Sequence, residues 1–347
     1  MTCFFVLGYY GFGNWGDELS LLASLRALEK IGEESGRSFS YRVLLRHERP
    51  LIPFPADVEV VSREHFLAVL RKIRTADAVV VGGGSLLQDA SSFRSLLYYL
   101  VLLRWALLWR KPLLFYGCGL GPFRHPLSRF MVSSVLRRAF LILRDEESKA
   151  LALQLGAAPS RTFLGVDPVF SLSCPAPRKV LHSGKFAVFL RSVDHEKEEA
   201  LFLALQALRA QGVEMELAAF HRELDESVVE LFARRLGVPG IFFADIEAVF
   251  RYFETVEMVF SLRLHPLVLA TMRGIPWVAL NVDPKIEALS SFFGKENLLF
   301  WENLSPQVLL TLYGKKEELR KRTEAVRELL AKREETMQEH LRALLLR

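Results

Sequence analysis
Short apolar runs alternate with amphipathic stretches along nearly the whole chain. In the first half, strand-like runs fall at Cys3–Leu7, Tyr41–Arg46, Val58–Ser62, Pro112–Gly117 and Phe140–Leu143. A further run starts at Ala78 and ends in three glycines. Helical spacing of apolar residues covers about Glu18–Lys30, Glu64–Arg74 and Pro126–Arg138. The second half repeats the scheme, with strands at Phe186–Leu190, Glu214–Phe220, Ile241–Ala244, Met258–Leu262, Pro276–Asn281 and Asn297–Phe300. Alternation of buried strands with helical patterns predicts an α/β protein with parallel sheets.

The chain has 347 residues, long for one core, and the length predicts about two domains. The stretch Cys174–Gly184 has two prolines, a glycine and no periodicity, so it reads as a linker. The expected division is 1–173, a linker at 174–185, a second α/β domain at 186–313, and a tail at 314–347. That tail alternates Lys and Arg with Glu and reads as one long amphipathic helix able to brace the first domain. There is no internal repeat and no low-complexity segment. The start MTCFFVLGYYGFG lacks a basic n-region and reads as a core strand rather than a signal peptide. Ser95–Trp109 is apolar almost all round, but it is shorter than the roughly 20 residues a span needs and is broken by Arg104. It reads either as a buried interdomain helix or as a helix docked on a bilayer, with Arg104, Arg110 and Lys111 at headgroup level.

The net charge of +5 suits anionic substrates or an anionic membrane surface. No recognition-helix or aromatic-studded basic stripe points to nucleic acid. Three widely spaced cysteines form no CxxC pair and suggest a reducing cytoplasm. No His, Cys or Asp cluster has metal-ligand spacing, and no P-loop motif is present, so the expected chemistry needs no metal or ATP.

Candidate chemistry gathers at strand ends. In an open parallel sheet, ligands bind at the carboxyl edge. Arg263 and His265 follow one strand there, Lys285 follows the next, and Arg191 follows the first strand of the second half. In the first half, Gly8–Asp17 makes a glycine-rich strand-to-helix turn, suited either to an anion or sugar or simply to a tight connection. The three glycines at 82–84 suggest close approach of a ligand, or else close packing of a helix on a strand. Arg144 is either an ion-pair partner of the acids that follow it or a ligand contact. Asp17 and Asp89 are either proton acceptors or helix caps. His125 and His221 read as surface or acceptor-side residues.

Six stretches together resemble the polysaccharide pyruvyl transferase family, in particular the bacterial enzymes that pyruvylate a cell-wall polymer for S-layer anchoring. They are GYYGFGNWGDE at 8–18, VVVGGGSLLQD at 79–89, GCGLGP at 117–122, LRDEES at 143–148, SLRLHP at 261–266 and DPKIEAL at 283–289. Pro266 departs mildly from the small residue often found there, and a proline at the first helical position is tolerated. The resemblance implies two Rossmann-like domains facing a cleft, in a glycosyltransferase-B-like fold. It implies transfer of a pyruvyl group from phosphoenolpyruvate, a co-substrate rather than a cofactor. The implied acceptor is N-acetylmannosamine in a lipid-diphosphate-linked disaccharide, and the product a 4,6-ketal. It implies a cytoplasmic enzyme of cell-wall biogenesis, peripheral to the inner face of the plasma membrane. By position it implies donor-binding roles for Arg263, Leu264, Lys285, Arg144 and Arg191. Acceptor-binding roles fall to Asn14, Gly16, Gly83, Gly84, Gln88 and Asp89, and catalytic roles to His265 and Asp17. A doubly anionic donor calls for several cations, and protonating its methylene carbon calls for an acid such as His265, held protonated by the substrate phosphate. The alternatives are a nucleotide-sugar glycosyltransferase of the same architecture and a non-catalytic glycan-binding protein. Neutral glycans do not call for so many cations.

Overall fold
The computed structural model describes residues 1–46, 50–54, 57–172 and 184–346. The chain forms two compact units, each built on a parallel sheet. Linker residues 174–183, with Cys174, lie outside the described residues.

The first unit comprises Met1–Phe12, Asp17–Leu172 and Ala331–Arg347. Its strands are β1 (Thr2–Leu7), β2 (Phe39–Leu45), β3 (Val58–Ser62), β4 (Ala78–Gly82), β5 (Leu113–Cys118), β6 (Phe140–Leu143) and β7 (Thr162–Leu164). They lie in the order β3-β2-β1-β4-β5-β6-β7, all parallel. The helices between them are α1 (Trp15–Ser35), α2 (Phe66–Arg74), α3 (Phe93–Leu108), α4 (Pro126–Leu136) and α5 (Glu146–Gln154). Only β7, three residues long, carried no periodic signal in the sequence.

Side chains alternate across a strand, so each strand feeds two cores. Phe5, Leu7, Val79, Val81, Leu113 and Phe115 pack with apolar residues of α2, α3, α4 and α5. The opposite side takes α1 and the end of the last helix, α12 (Lys316–Leu345). There Gln338 donates to the Tyr116 hydroxyl at 2.8 Å, and Arg342 pairs with Glu34 at 3.1 Å. Helix α3 is not an interdomain helix. Capped by Ser92, it turns Leu96, Tyr99, Leu100 and Leu103 into the core of its own unit and leaves Leu97, Val101 and Leu108 exposed.

The second unit comprises Gly13–Gly16 and Ser173–Leu330. Its elements are β8 (Lys185–Leu190), α6 (His195–Ala210), β9 (Met215–Ala219), α7 (Arg222–Leu236), β10 (Gly240–Phe242), α8 (Ile246–Tyr252), β11 (Val256–Ser261), α9 (Leu264–Arg273), β12 (Trp277–Leu280), α10 (Pro284–Ser290), β13 (Leu298–Leu299) and α11 (Pro306–Gly314). The strand order is β10-β9-β8-β11-β12-β13. The first half of α12 also belongs here, with Lys316 bonded to Glu257 at 2.8 Å. Pro266 is the third residue of α9, not the first. Its missing N–H is still one of the donors that a helix start leaves unbonded.

Candidate active site
The second sheet has a point of divergence. From β8 the chain runs to β9 on one side, and β11 lies on the other. At such a switch point the crossing segments part and leave room at the carboxyl edge. Arg191 follows β8 there, and Arg263 follows β11. Arg263 is also the N-cap of α9. Its backbone is pinned by Ser261, whose hydroxyl accepts from the Arg263 N–H at 2.9 Å and donates to its carbonyl at 2.7 Å.

The Arg263 side chain is held by a carboxylate that the sequence reading missed. Its Nε donates to Asp225 Oδ2 at 3.0 Å and its Nη2 to Asp225 Oδ1. Asp225 is fully buried and also accepts the His221 backbone N–H at 2.9 Å. This fork leaves Nη1 outside the pair and fixes the plane of the guanidinium. Burial, together with the positive charge of Arg263, pushes Arg191 below its ordinary value, while Asp283 and Asp225 oppose that shift. Two guanidinium groups and two carboxylates therefore share this edge, so its positive charge is smaller than the sequence suggested. Asp283 caps α10 by accepting from the Lys285 N–H at 3.1 Å, which sets Lys285 in the first turn of that helix. Leu264, half-buried, opens α9.

His265 stands in the first turn of α9 and is 9% exposed. The amide-rich start of a helix favours an anion nearby. Gly16 lies against the imidazole: a Cβ on residue 16 would fall 2.0 Å from His265 Nδ1. This is why no side chain is tolerated at position 16. The segment around it is tied to the same unit. Trp15 N–H donates to the Phe220 carbonyl at 3.1 Å, Arg222 N–H to the Gly13 carbonyl at 2.8 Å, and Asn14 bridges His221. Asn14 also accepts from the Gly16 N–H at 3.2 Å. Asn14 and Gly16 thus lie in the second unit with His221 and His265, although they stand in the first half of the sequence. His221 is buried at the N-cap of α7, not on the surface.

In the first unit, Arg144 follows β6 and is buried. It pairs with Asp167 at 3.0 Å and Asp145 at 3.6 Å, and donates to the Ser85 hydroxyl at 3.3 Å. The arrangement parallels Arg263 and Asp225: an arginine at a strand's carboxyl end, oriented by a buried carboxylate. Gly83 serves packing, because a Cβ there would fall 2.4 Å from Ser20 Cβ on α1. At Gly84 the nearest atom to such a Cβ is Asp17 Oδ1, at 3.3 Å. Gln88 is bonded to Ser91 through both side-chain atoms. Asp89 is buried, which by itself raises its pKa. That rise is outweighed by the neighbouring Ser128 hydroxyl and by hydrogen bonds from the backbone N–H groups of Arg124 and His125, and the carboxyl ends below its ordinary value. It therefore behaves as the cap of the turn into α4, whose own N-cap, the exposed His125, supplies no side-chain bond.

Glu18 is a further residue that sequence reasoning passed over. It is buried, and one carboxylate oxygen accepts the Gly11 N–H at 2.7 Å while the other has no hydrogen-bond partner. Burial raises its pKa to about 8, the Gly11 bond opposes this, and Asp17 adds to it. The folded carboxyl thus holds a proton that the unfolded one releases above its ordinary value near 4.5. Stability contributed by protonation is present at low pH and lost as pH rises towards about 8. At about 1.4 kcal/mol per pKa unit, the full loss is about 5 kcal/mol. Glu18→Gln keeps the acceptor for Gly11 and removes the titration. Urea unfolding between pH 5 and pH 8.5 should show the variant gaining on wild type as pH rises; parallel curves for the two would refute the assignment.

The family model for polysaccharide pyruvyl transferases matches residues 14–284. The chain belongs to that family. The match spans most of its length and includes the His265 and Arg263 edge of the second unit and the Arg144 edge of the first. Among curated proteins, none matches the sequence. Solved structures similar in fold include the UDP-GlcNAc 2-epimerase from Neisseria meningitidis bound to UDP-GlcNAc. It is 13% identical with TM-score 0.64, and the alignment covers 98% of this chain and 99% of that one. Anabaena HepE in complex with UDP-glucose is 15% identical with TM-score 0.60, covering 99% and 100%. The UDP-GlcNAc 2-epimerase from Methanocaldococcus jannaschii is 11% identical with TM-score 0.60, covering 91% and 92%. At these identities the likeness concerns the fold, which is glycosyltransferase-B-like with two Rossmann-like domains.

Proposed function
We propose that the chain transfers the pyruvyl group of phosphoenolpyruvate to a sugar as a ketal, with release of phosphate. The family supports transfer of pyruvyl, and one observation carries the assignment of the acid: a buried histidine at a helix start, beside a carboxylate-oriented arginine at a sheet switch point. In this reading Arg191, Arg263 and Lys285 hold the donor's carboxylate and phosphate, and Leu264 lines their edge. Arg144 takes part as a second carboxylate-oriented arginine. His265 gives a proton to the methylene carbon as a sugar hydroxyl oxygen attacks the adjacent carbon. The bond from that carbon to the phosphate oxygen then breaks, and the second hydroxyl closes the ring. Each hydroxyl gives up one proton, one to a carboxylate such as Asp17 and one back to His265. The acceptor side is assigned to Asn14, Gly16, Gly83, Gly84, Gln88 and Asp89, several of them supporting the loops rather than touching sugar.

The acceptor proposed is N-acetylmannosamine in a lipid-diphosphate-linked disaccharide, pyruvylated at positions 4 and 6 at the inner face of the plasma membrane for S-layer anchoring. Mass spectrometry of mixtures of the chain, phosphoenolpyruvate and lipid-linked or free disaccharides should show one added pyruvyl group and released phosphate. The structural neighbours' UDP-sugars give a rival ligand class. Phosphoenolpyruvate should raise the melting temperature and UDP-GlcNAc should not, since only a ligand of the folded state stabilises it. The reverse pattern would reject the pyruvyl reading in favour of a nucleotide-sugar enzyme.

A further inference from the structure
The outward sides of α3 and α4 carry apolar side chains where a water-facing helix normally carries charge. On α3, Leu97, Val101 and Leu108 share one helical face with Arg104, and Leu108 is 70% exposed. On α4, Leu127 and Phe130 face outward, and Phe130 is 76% exposed. The Arg104 guanidinium donates to the Met131 carbonyl and the Ser134 hydroxyl, both at 3.2 Å. The two helices therefore lie side by side, and their apolar stripes adjoin. Isolated exposed hydrophobic residues are ordinary, but adjoining rows of them mark an interaction surface.

The charge of the same segment is one-sided. Between Asp89 and Asp145 lie eight arginines and one lysine, with no aspartate or glutamate. The rest of the chain has 36 basic against 40 acidic residues, so the whole positive excess comes from this segment. Arg94, Arg124 and Arg129 are exposed around the apolar rows, and Arg110 stands exposed beside Trp109. Among the described residues no helix is long and apolar enough to cross a membrane. Exposed apolar side chains with exposed arginines, in a segment free of acids, match a bilayer surface, whose acyl boundary takes the former and whose phosphates take the latter.

We infer that the α3–α4 face of the first unit docks on the surface of a bilayer containing anionic lipid. The inference needs neither donor nor acceptor, so its test does not depend on the proposed reaction. The full-length chain is floated with vesicles of phosphatidylglycerol and phosphatidylcholine in equal parts, and with phosphatidylcholine alone, at low and high salt. Binding should be at least about tenfold stronger to the anionic vesicles, and it should fall as salt screens the charges. The double variant Leu127→Glu, Phe130→Glu should lose about tenfold in binding at an unchanged melting temperature, because both residues are exposed. Leu231→Glu, an exposed leucine on α7 of the second unit, should bind as wild type. Should the double variant fold poorly, Phe130→Ser gives the same reading with a milder change. Equal binding to both vesicle types, or full binding by the folded variants at 127 and 130, would overturn the proposal.

Discussion

His265→Gln should lower kcat for pyruvyl transfer by about 10²- to 10⁴-fold, the usual contribution of a positioned general acid. Glutamine approximates the imidazole's reach and offers hydrogen bonds, but it cannot deliver a proton at neutral pH. The comparison with His265→Ala separates chemistry from packing. The imidazole fills space against Gly16, so the alanine variant also opens a gap beneath the start of α9. Both variants should bind phosphoenolpyruvate, as read by thermal shift, because the cations remain. Steady-state kinetics with phosphate release as the signal checks the expectation. Near-normal kcat in either folded variant would remove His265 from the chemistry.

The second large effect is expected at Asp225, which touches no substrate in the proposed scheme. Asp225→Asn keeps the shape but removes the charge that orients Arg263 through two hydrogen bonds. An asparagine has one acceptor oxygen, so it can keep the bonds from the Arg263 Nε and the His221 N–H that Oδ2 accepts, but its NH2 group would face the Arg263 Nη2 donor in place of Oδ1. Breaking a buried pair from one side leaves the other charge uncompensated, at a cost of about 2–4 kcal/mol here, since Arg263 keeps some solvent contact. As a positioning residue, Asp225 should act mainly through donor binding. The expected result is a rise of about 10- to 100-fold in KM for phosphoenolpyruvate with a smaller change in kcat. A variant that loses stability but keeps its KM would mark Asp225 as purely structural.

Much of the fold was legible from periodicity. The strand at Phe140–Leu143 and the long tail helix were read within a residue or two, because a buried parallel strand and a salt-laced helix each leave a strong pattern. Strand β7 was not, since three residues are too few to show a period. The cationic side of the candidate site was legible because arginine, histidine and lysine stood at strand ends. Its acidic side was not. Asp225 lies within the first turns of α7, where an acid reads as a solvated dipole complement, and only the tertiary fold brings it to Arg263. Asp167 was hidden similarly, in a short turn far in sequence from Arg144. Gly16 looked like a loop glycine of the first half, and nothing local could reveal that His265, some 250 residues on, occupies the space of its missing side chain.

The last helix, α12, has an implication for how the chain comes to be folded. Its residues up to Leu330 pack with the second unit, and those from Ala331 pack with the first. One side of the first sheet is thus completed by Met337, Gln338 and Arg342, which leave the ribosome after the whole of the second unit. The first unit to be synthesised is the last to be closed. Until those turns of α12 emerge, Tyr116 and Gly165 lack their covering, and the nascent protein must carry an unfinished surface on its first unit while all of the second is made.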